Sequence, residues 1–225
     1  MSRTRPRTSP ARMRELVVTE RAELDRLLDE VMIAHVGLAT GLGDSGRPDT
    51  GPGDVVVIPT ALARDTGSIL IHGSTGSGWM RLAADGRPAC VTVTAVDGIV
   101  VARSGFESSF RYRSAVLFGA FRPVPPDARE HALRVITERI LPGRSGELRA
   151  PLPRELAATQ VLRMPISEWS MKVSAGWPDD PAEDVAGDAW AGVIPLSPPR
   201  PGVPEAAPDL RPGIPVPRSV RDAAG

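Results

Sequence analysis

The amino-acid sequence predicts a mainly β (α+β) domain, an antiparallel β-barrel with peripheral helices. Three observations carry this. Short apolar runs bounded by Gly, Pro or Asp recur along the chain. Two of them flank Asp97-Gly98, a dipeptide that tolerates the positive φ of a two-residue hairpin turn. The segments with helical periodicity are too few to cover the crossovers of a doubly wound sheet.

At 225 residues, with 41% hydrophobic and 24% charged, the chain can build a packed core in one domain. Aromatic residues make up only 4%, so Val, Ile, Leu and Ala must fill that core. The 27 basic and 27 acidic residues balance, which leaves no global field to attract nucleic acid or an anionic membrane. Cys90 is the single cysteine, so neither an internal disulfide nor a Cys-rich zinc site is expected, and a cytoplasmic location fits. No apolar run approaches the ~20 residues that span a bilayer.

Residues 1–14 are rich in Arg, Pro, Ser and Thr and read as a disordered basic tail. From Glu20 to Ile33, Leu24, Leu27, Leu28 and Val31 fall at helical spacing behind Thr19, a candidate N-cap. Ala34 to Thr40 and Val55 to Ala63 read as strands around a Gly/Pro/Asp loop. Ser68 to His72 is a third strand, Ser77 to Ala84 a short helix, and Ala89 to Val96 a strand returning through Asp97-Gly98 as Ile99 to Arg103. Ser114 to Val124 is a further strand, and Asp127 to Leu141 a helix with Leu133, Ile136 and Ile140 on one face. Thr159 to Met171 reads as a last strand, with Pro165 marking an edge or bulge. Residues 15–196 form the domain. Residues 197–225 hold eight prolines and read as a disordered tail.

Among the motifs, Gly41 to Gly46 matches G-x-G-x-x-G, yet Arg47 to Gly53 cannot supply the helix that such a fingerprint needs. A flexible loop is the better reading. His72-Gly73-Ser74-Thr75-Gly76-Ser77-Gly78 lacks the Lys-Ser/Thr pair of a P-loop. Its passage from strand to helix nonetheless presents the hydroxyls of Ser74, Thr75 and Ser77 and free N–H groups to one point, as an anion site would. The plainer alternative is that Ser77 only caps the helix and the glycines only permit the turn. His35, His72 and His131 are scattered without metal-ligand spacing, so no metal site is expected. Arg103-Ser104 and Arg111-Tyr112-Arg113-Ser114 put donors at strand edges, able to hold a phosphate or a planar ring or simply to meet solvent.

The succession HVG (35–37), VIPT (57–60), HGS (72–74), CVTVTxxDGxVxARSxF (90–106), YRSxVxFG (112–119), ISEWSxK (166–172) and WAGVIPL (190–196) resembles the pyridoxamine 5′-phosphate oxidase-like family, in its flavin-nucleotide-binding branch. The resemblance implies an antiparallel split β-barrel that forms a homodimer and binds FMN at the subunit interface. It would set Ile58, Pro59 and Thr60 beside the isoalloxazine ring, and His72, Gly73, Ser74 and Ser77 around the ribityl phosphate. Tyr112, Arg113 and Ser114 would line the same cleft, with Lys172 and Trp190 reaching it from the partner chain. The chain departs from the pattern at Gly78, where relatives carry a basic residue, so that charge compensation would fall to Arg81 or Arg113. Glu107, Ser108 and Arg111 stand where relatives carry His, His and Asn, and the 41–54 loop is longer than usual. The function implied is an FMN-dependent oxidoreductase acting on a small molecule, with no catalytic residue assigned, since the cofactor carries the chemistry. A flavin-binding protein without turnover and a haem-binding relative, tested by the Soret band of His72→Ala, are the alternatives.

Overall fold

A computed structural model describes residues 8, 13–39, 55–197 and 201–224. The expected N-terminal tail therefore lies outside the described residues save for 8, 13 and 14, and so does the glycine loop at 41–46.

Two antiparallel sheets share one core. The larger sheet runs in the order β1 (Val17–Val18), β10 (Glu168–Ser174), β7 (Ser109–Ala120), β6 (Pro88–Val101), β2 (Ile33–Ala39) and β3 (Val55–Ala61), and β11 (Gly192–Pro195) pairs with the far half of β6. The smaller sheet runs β4 (Ala63–Asp65), β5 (Ser68–Ser74), β9 (Thr159–Pro165) and β8 (Arg122–Pro123). Strand alternation sorts their side chains. Val36, Leu38, Val91, Val93, Ala115 and Leu117 on the larger sheet meet Ile69, Ile71, Leu162 and Met164 on the smaller in one buried cluster.

Helix α1 (Arg21–Glu30) closes that cluster with Leu24, Leu27 and Leu28, all fully buried. Helix α2 (Gly78–Ala84) adds Met80 and Ala83. The other face of the smaller sheet is covered by α3 (Pro126–Ile140), whose Ala132 and Ile136 pack on Ala63, Leu70 and Val161. Short helices α4 (Pro153–Ala158), α5 (Ala182–Val185) and α6 (Arg218–Ala224) decorate the periphery. The architecture is the expected split barrel with peripheral helices. Among the described residues no helix is long and apolar enough to cross a membrane, and no group of three or more His, Cys, Asp or Glu could hold a metal ion.

Local expectations are corrected at five places. Glu20, not Thr19, is the N-cap of α1, and its carboxylate accepts the Thr19 N–H at 3.1 Å. That helix stops at Glu30, and Ile33 already opens β2. Asp97-Gly98 makes no hairpin turn. It lies inside β6 at a register shift, where a bulge absorbs the extra residue and lets one strand of 14 residues continue. Glycine suits the close approach of β11 there, since a Cβ at 98 would sit 3.1 Å from the Ile194 carbonyl oxygen and push it back. The true β6–β7 connection is 102–108, closed by Ser108 Oγ, which accepts from the Ala102 N–H at 3.1 Å and donates to the Ser104 carbonyl at 2.9 Å.

The last predicted strand is two strands in different sheets, β9 and β10, because Pro165 ends the first ladder and Ile166 then donates its N–H to Gly67 at 2.8 Å. The end of the proline-rich tail is not unpacked. Helix α6 buries Ser219, whose N–H donates to Glu147 Oε1 at 3.0 Å and whose hydroxyl donates to Oε2 at 2.5 Å. One carboxylate with two matched donors can fix a segment that prolines bar from any ladder.

Candidate functional site

The passage from β5 into α2 is held by its own small residues. Ser74 Oγ accepts the Gly76 N–H at 3.1 Å, the Ser77 N–H donates to the Ser74 carbonyl at 3.0 Å, and Thr75 spends its N–H and hydroxyl on the Ala158 carbonyl. Gly73 lets Met80 pack onto the strand, since a Cβ there would lie 2.9 Å from Met80 Cγ. The three hydroxyls therefore do not converge as expected: those of Ser74 and Thr75 build the turn. Ser77 is different. It occupies the N-cap position, yet its side chain makes no capping bond. The first intrahelical bond runs from the Arg81 N–H to the Ser77 carbonyl, so the N–H groups of Gly78, Trp79 and Met80 have no intrahelical acceptor. Arg81 bends back over this point, its Nη1 donating to the Gly76 carbonyl at 3.0 Å. A hydroxyl, three N–H donors and a guanidinium thus collect at the helix start, a set that suits a phosphate oxygen.

β3 pairs with β2 and forms an edge of its sheet. Ile58 stands opposite Val36 and Thr60 opposite Ala34, so both face the core side, whereas Pro59 stands opposite His35 on the outer face. As an edge strand, β3 leaves backbone N–H and C=O groups of this stretch without a ladder partner. β3 and β5 also touch.

The outer face of the larger sheet gathers further expected residues. Its register places Pro59, His35, Thr92, Val116 and Ser170 in one row, then Thr94, Ser114 and Lys172, then Val96, Tyr112 and Ser174. Apolar side chains stand on it in the open: Val55 is 67% exposed, Val57 58% and Ile33 50%. Tyr112, Ser114 and Lys172 do share this face, but Arg113 does not. Alternation sends it to the other side, where Nε and Nη2 grip Asp97 at 2.9 and 2.7 Å and Nη1 and Nη2 grip Glu30 at 2.5 and 2.8 Å. Those bonds raise the guanidinium pKa and lower that of Glu30. Arg113 is thereby removed as a phosphate partner.

Trp190 is exposed and lies over Gly192 at the start of β11, beside the far half of β6. There Arg111 stacks its guanidinium 4.9 Å from the Trp177 ring centre, and Arg103 holds the Asp180 carboxylate through its N–H and Nη1. Neither the Asp180 clasp nor the Glu30–Arg113–Asp97 network has a sequence signal, because the partners lie 77, 83 and 16 residues apart.

The three histidines have separate environments. His72 stands opposite Val161 on the side of β5 that α3 covers, with Nδ1 buried and without a partner, and burial lowers its pKa. His35 is exposed on the outer face. His131, on α3, accepts from Arg134 at Nδ1 over 3.0 Å.

Residues 20–173 match the family described as pyridoxamine 5′-phosphate oxidase. Among solved structures, the FAD and heme binding protein from Mycobacterium smegmatis is 48% identical, with 93% of this chain and 98% of that chain covered and a TM-score of 0.85. The flavocytochrome Anf3 from Azotobacter vinelandii is 30% identical, covering 96% of each chain, also at a TM-score of 0.85. A conserved hypothetical protein from Mycobacterium tuberculosis, 13% identical over 75% of this chain and 90% of that one, shares the fold at a TM-score of 0.54. No curated protein matches the chain.

Proposed function

The chain belongs to the pyridoxamine 5′-phosphate oxidase family, and we propose that it is a redox protein that holds a flavin and a haem together at the interface of a homodimer. The observation that carries the flavin half is the β5–α2 turn, where Ser77, three helix-start N–H groups without an intrahelical acceptor and Arg81 come together. Isoalloxazine and ribityl phosphate are common to FMN and FAD, so the expected FMN site and an FAD site share these contacts. Bound there, a flavin supplies two-electron and one-electron transfer, and the protein supplies orientation and charge.

The haem half is supported by the likeness to the mycobacterial FAD and heme binding protein and to Anf3 over nearly the whole chain. A haem iron takes an imidazole. His72 fits through an Nδ1 that has no hydrogen-bond partner, and His35 fits through its place on an apolar outer face, whereas His131 is held by Arg134. A second copy laid on that face would cover Val55, Val57 and Ile33 and could bring Lys172 and Trp190 of one chain towards the turn of the other.

Absorption spectra of the purified protein, as isolated and after adding FMN, FAD and haemin, together with its mass in solution, test this reading. A flavin band, a Soret band and twice the chain mass are expected. A monomer that stays colourless with all three additions overturns it. His35→Ala and His72→Ala, each with and without added imidazole, then assign the axial ligand by which variant loses the Soret band and regains it.

A further inference from the structure

The C-terminal segment 204–220 folds against the 3-10 turn Arg144–Glu147, and between them lies a cleft of about 450 Å³. Small-molecule sites occupy roughly 300–1,000 Å³. Leu210, Ile214 and Val216 are large, apolar and exposed, and all three stand in the wall of this cleft. Their surface is gathered in one concavity rather than scattered.

The wall is held in place by the segment's own bonds. Ser219 ties it to Glu147, the Leu210 N–H donates to the Ala207 carbonyl at 2.9 Å, and Arg221 donates through its N–H to the Pro217 carbonyl at 3.1 Å. Arg221 Nη1 also donates to the Val216 carbonyl at 2.5 Å. Pro204, Pro215 and Pro217 fix φ along the same wall, so ordering it costs a ligand little. Three charged residues border the cleft. Glu147 accepts both Ser219 donors and Arg144 Nη1 at 3.1 Å, so this ion pair is neutral and its carboxylate is satisfied. Glu205 has neither a hydrogen bond nor an ion pair among the described residues. The cleft therefore carries one uncompensated negative charge.

We propose that this cleft binds an amphipathic amine, its hydrocarbon chain against Leu210, Ile214 and Val216 and its ammonium group on the Glu205 carboxylate. It shares no residue with the proposed flavin site, and neither reading depends on the other. A carboxylate at an apolar rim discriminates by charge: an ammonium gains an ion pair, an alcohol gains none and a fatty acid is repelled.

The test is isothermal titration calorimetry of the full-length protein at pH 7 with n-butylamine, n-hexylamine and n-octylamine, beside 1-octanol and octanoate. One amine per chain is expected, with affinity rising about two- to fourfold for each added methylene. Octylamine should bind about three- to fivefold more tightly than octanol, and octanoate more weakly than either. Glu205→Gln should erase the preference for the amine and leave octanol unchanged. Ala207→Trp fills the cleft and should weaken octylamine at least about tenfold. Leu210→Ser, which removes wall without adding bulk, should weaken it about threefold or more. All three positions are exposed and lie outside the buried clusters, so an unchanged Tm is the check on folding. The absence of saturable amine binding overturns the proposal, and so does octanoate binding as tightly as octylamine. Variants at 205, 207 and 210 that bind octylamine as the wild type does would overturn it equally.

Discussion

Replacing Arg113 by Ala separates a structural role from a binding one. The guanidinium makes four charge-assisted bonds, two to Asp97 beside the β6 bulge and two to Glu30 at the end of α1. It therefore ties the capping helix to both central strands. The three side chains keep between 25% and 38% of their surface exposed, so solvent screening holds each pair to about 1 kcal/mol rather than the larger value of a buried pair. Losing both pairs costs about 2 kcal/mol, and the two carboxylates are then left facing each other. For a chain of this size that is a fall of about 4–8 °C in Tm.

The assay is thermal unfolding by circular dichroism at pH 7, beside a flavin titration. A lower Tm with flavin affinity within about twofold is expected. An unchanged Tm together with a tenfold weaker flavin complex would return Arg113 to the cofactor site and refute the geometry. The pH dependence has a definite sign. Glu30 has a lowered folded pKa, so its contribution is complete above its ordinary value of 4.5 and is lost as pH falls through the lowered one. Wild type and Arg113→Ala should therefore converge in Tm on acidification.

Arg81→Ala should weaken flavin binding by tenfold or more and move Tm little, as read by the same titration. Gly86→Ala meets a backbone at φ +77°, with the Arg122 guanidinium over the missing side chain, and should cost about 1–2 kcal/mol in urea unfolding. Phe121→Ala empties a fully buried site and should cost about 3–5 kcal/mol. Glu147 is held down to about pH 2 by the Ser219 donors, so the docked tail should resist limited proteolysis at pH 5 and above and loosen as pH falls towards that value. Ser219→Ala should expose the tail at pH 7, and equal cleavage of variant and wild type would dismiss the latch.

The strand-rich order, the α1, α2 and α3 segments and the β5–α2 turn were legible because each is a local pattern. Apolar residues at helical or alternating spacing and a Gly/Ser turn report themselves within about ten residues. The Asp97-Gly98 error arose from the same locality. That dipeptide fits a turn and a bulge alike, and the choice was made by β11, which approaches Gly98 from 96 residues away in the chain. Ser74 and Thr75 carried hydroxyls of the right kind, but only the position of the Ala158 carbonyl and the Gly76 N–H assigned them to the turn.

The sequence by itself determined the family and the barrel, since these follow from residue type and order. Tertiary structure decided which charges are already committed to partners within the chain. Arg113 and Arg81 look equivalent as letters, yet pairing register turns one towards Glu30 and Asp97 and a helical turn folds the other over Gly76. A guanidinium acts on whatever lies within about 3 Å of it, and that neighbourhood is fixed by packing between segments distant in the chain.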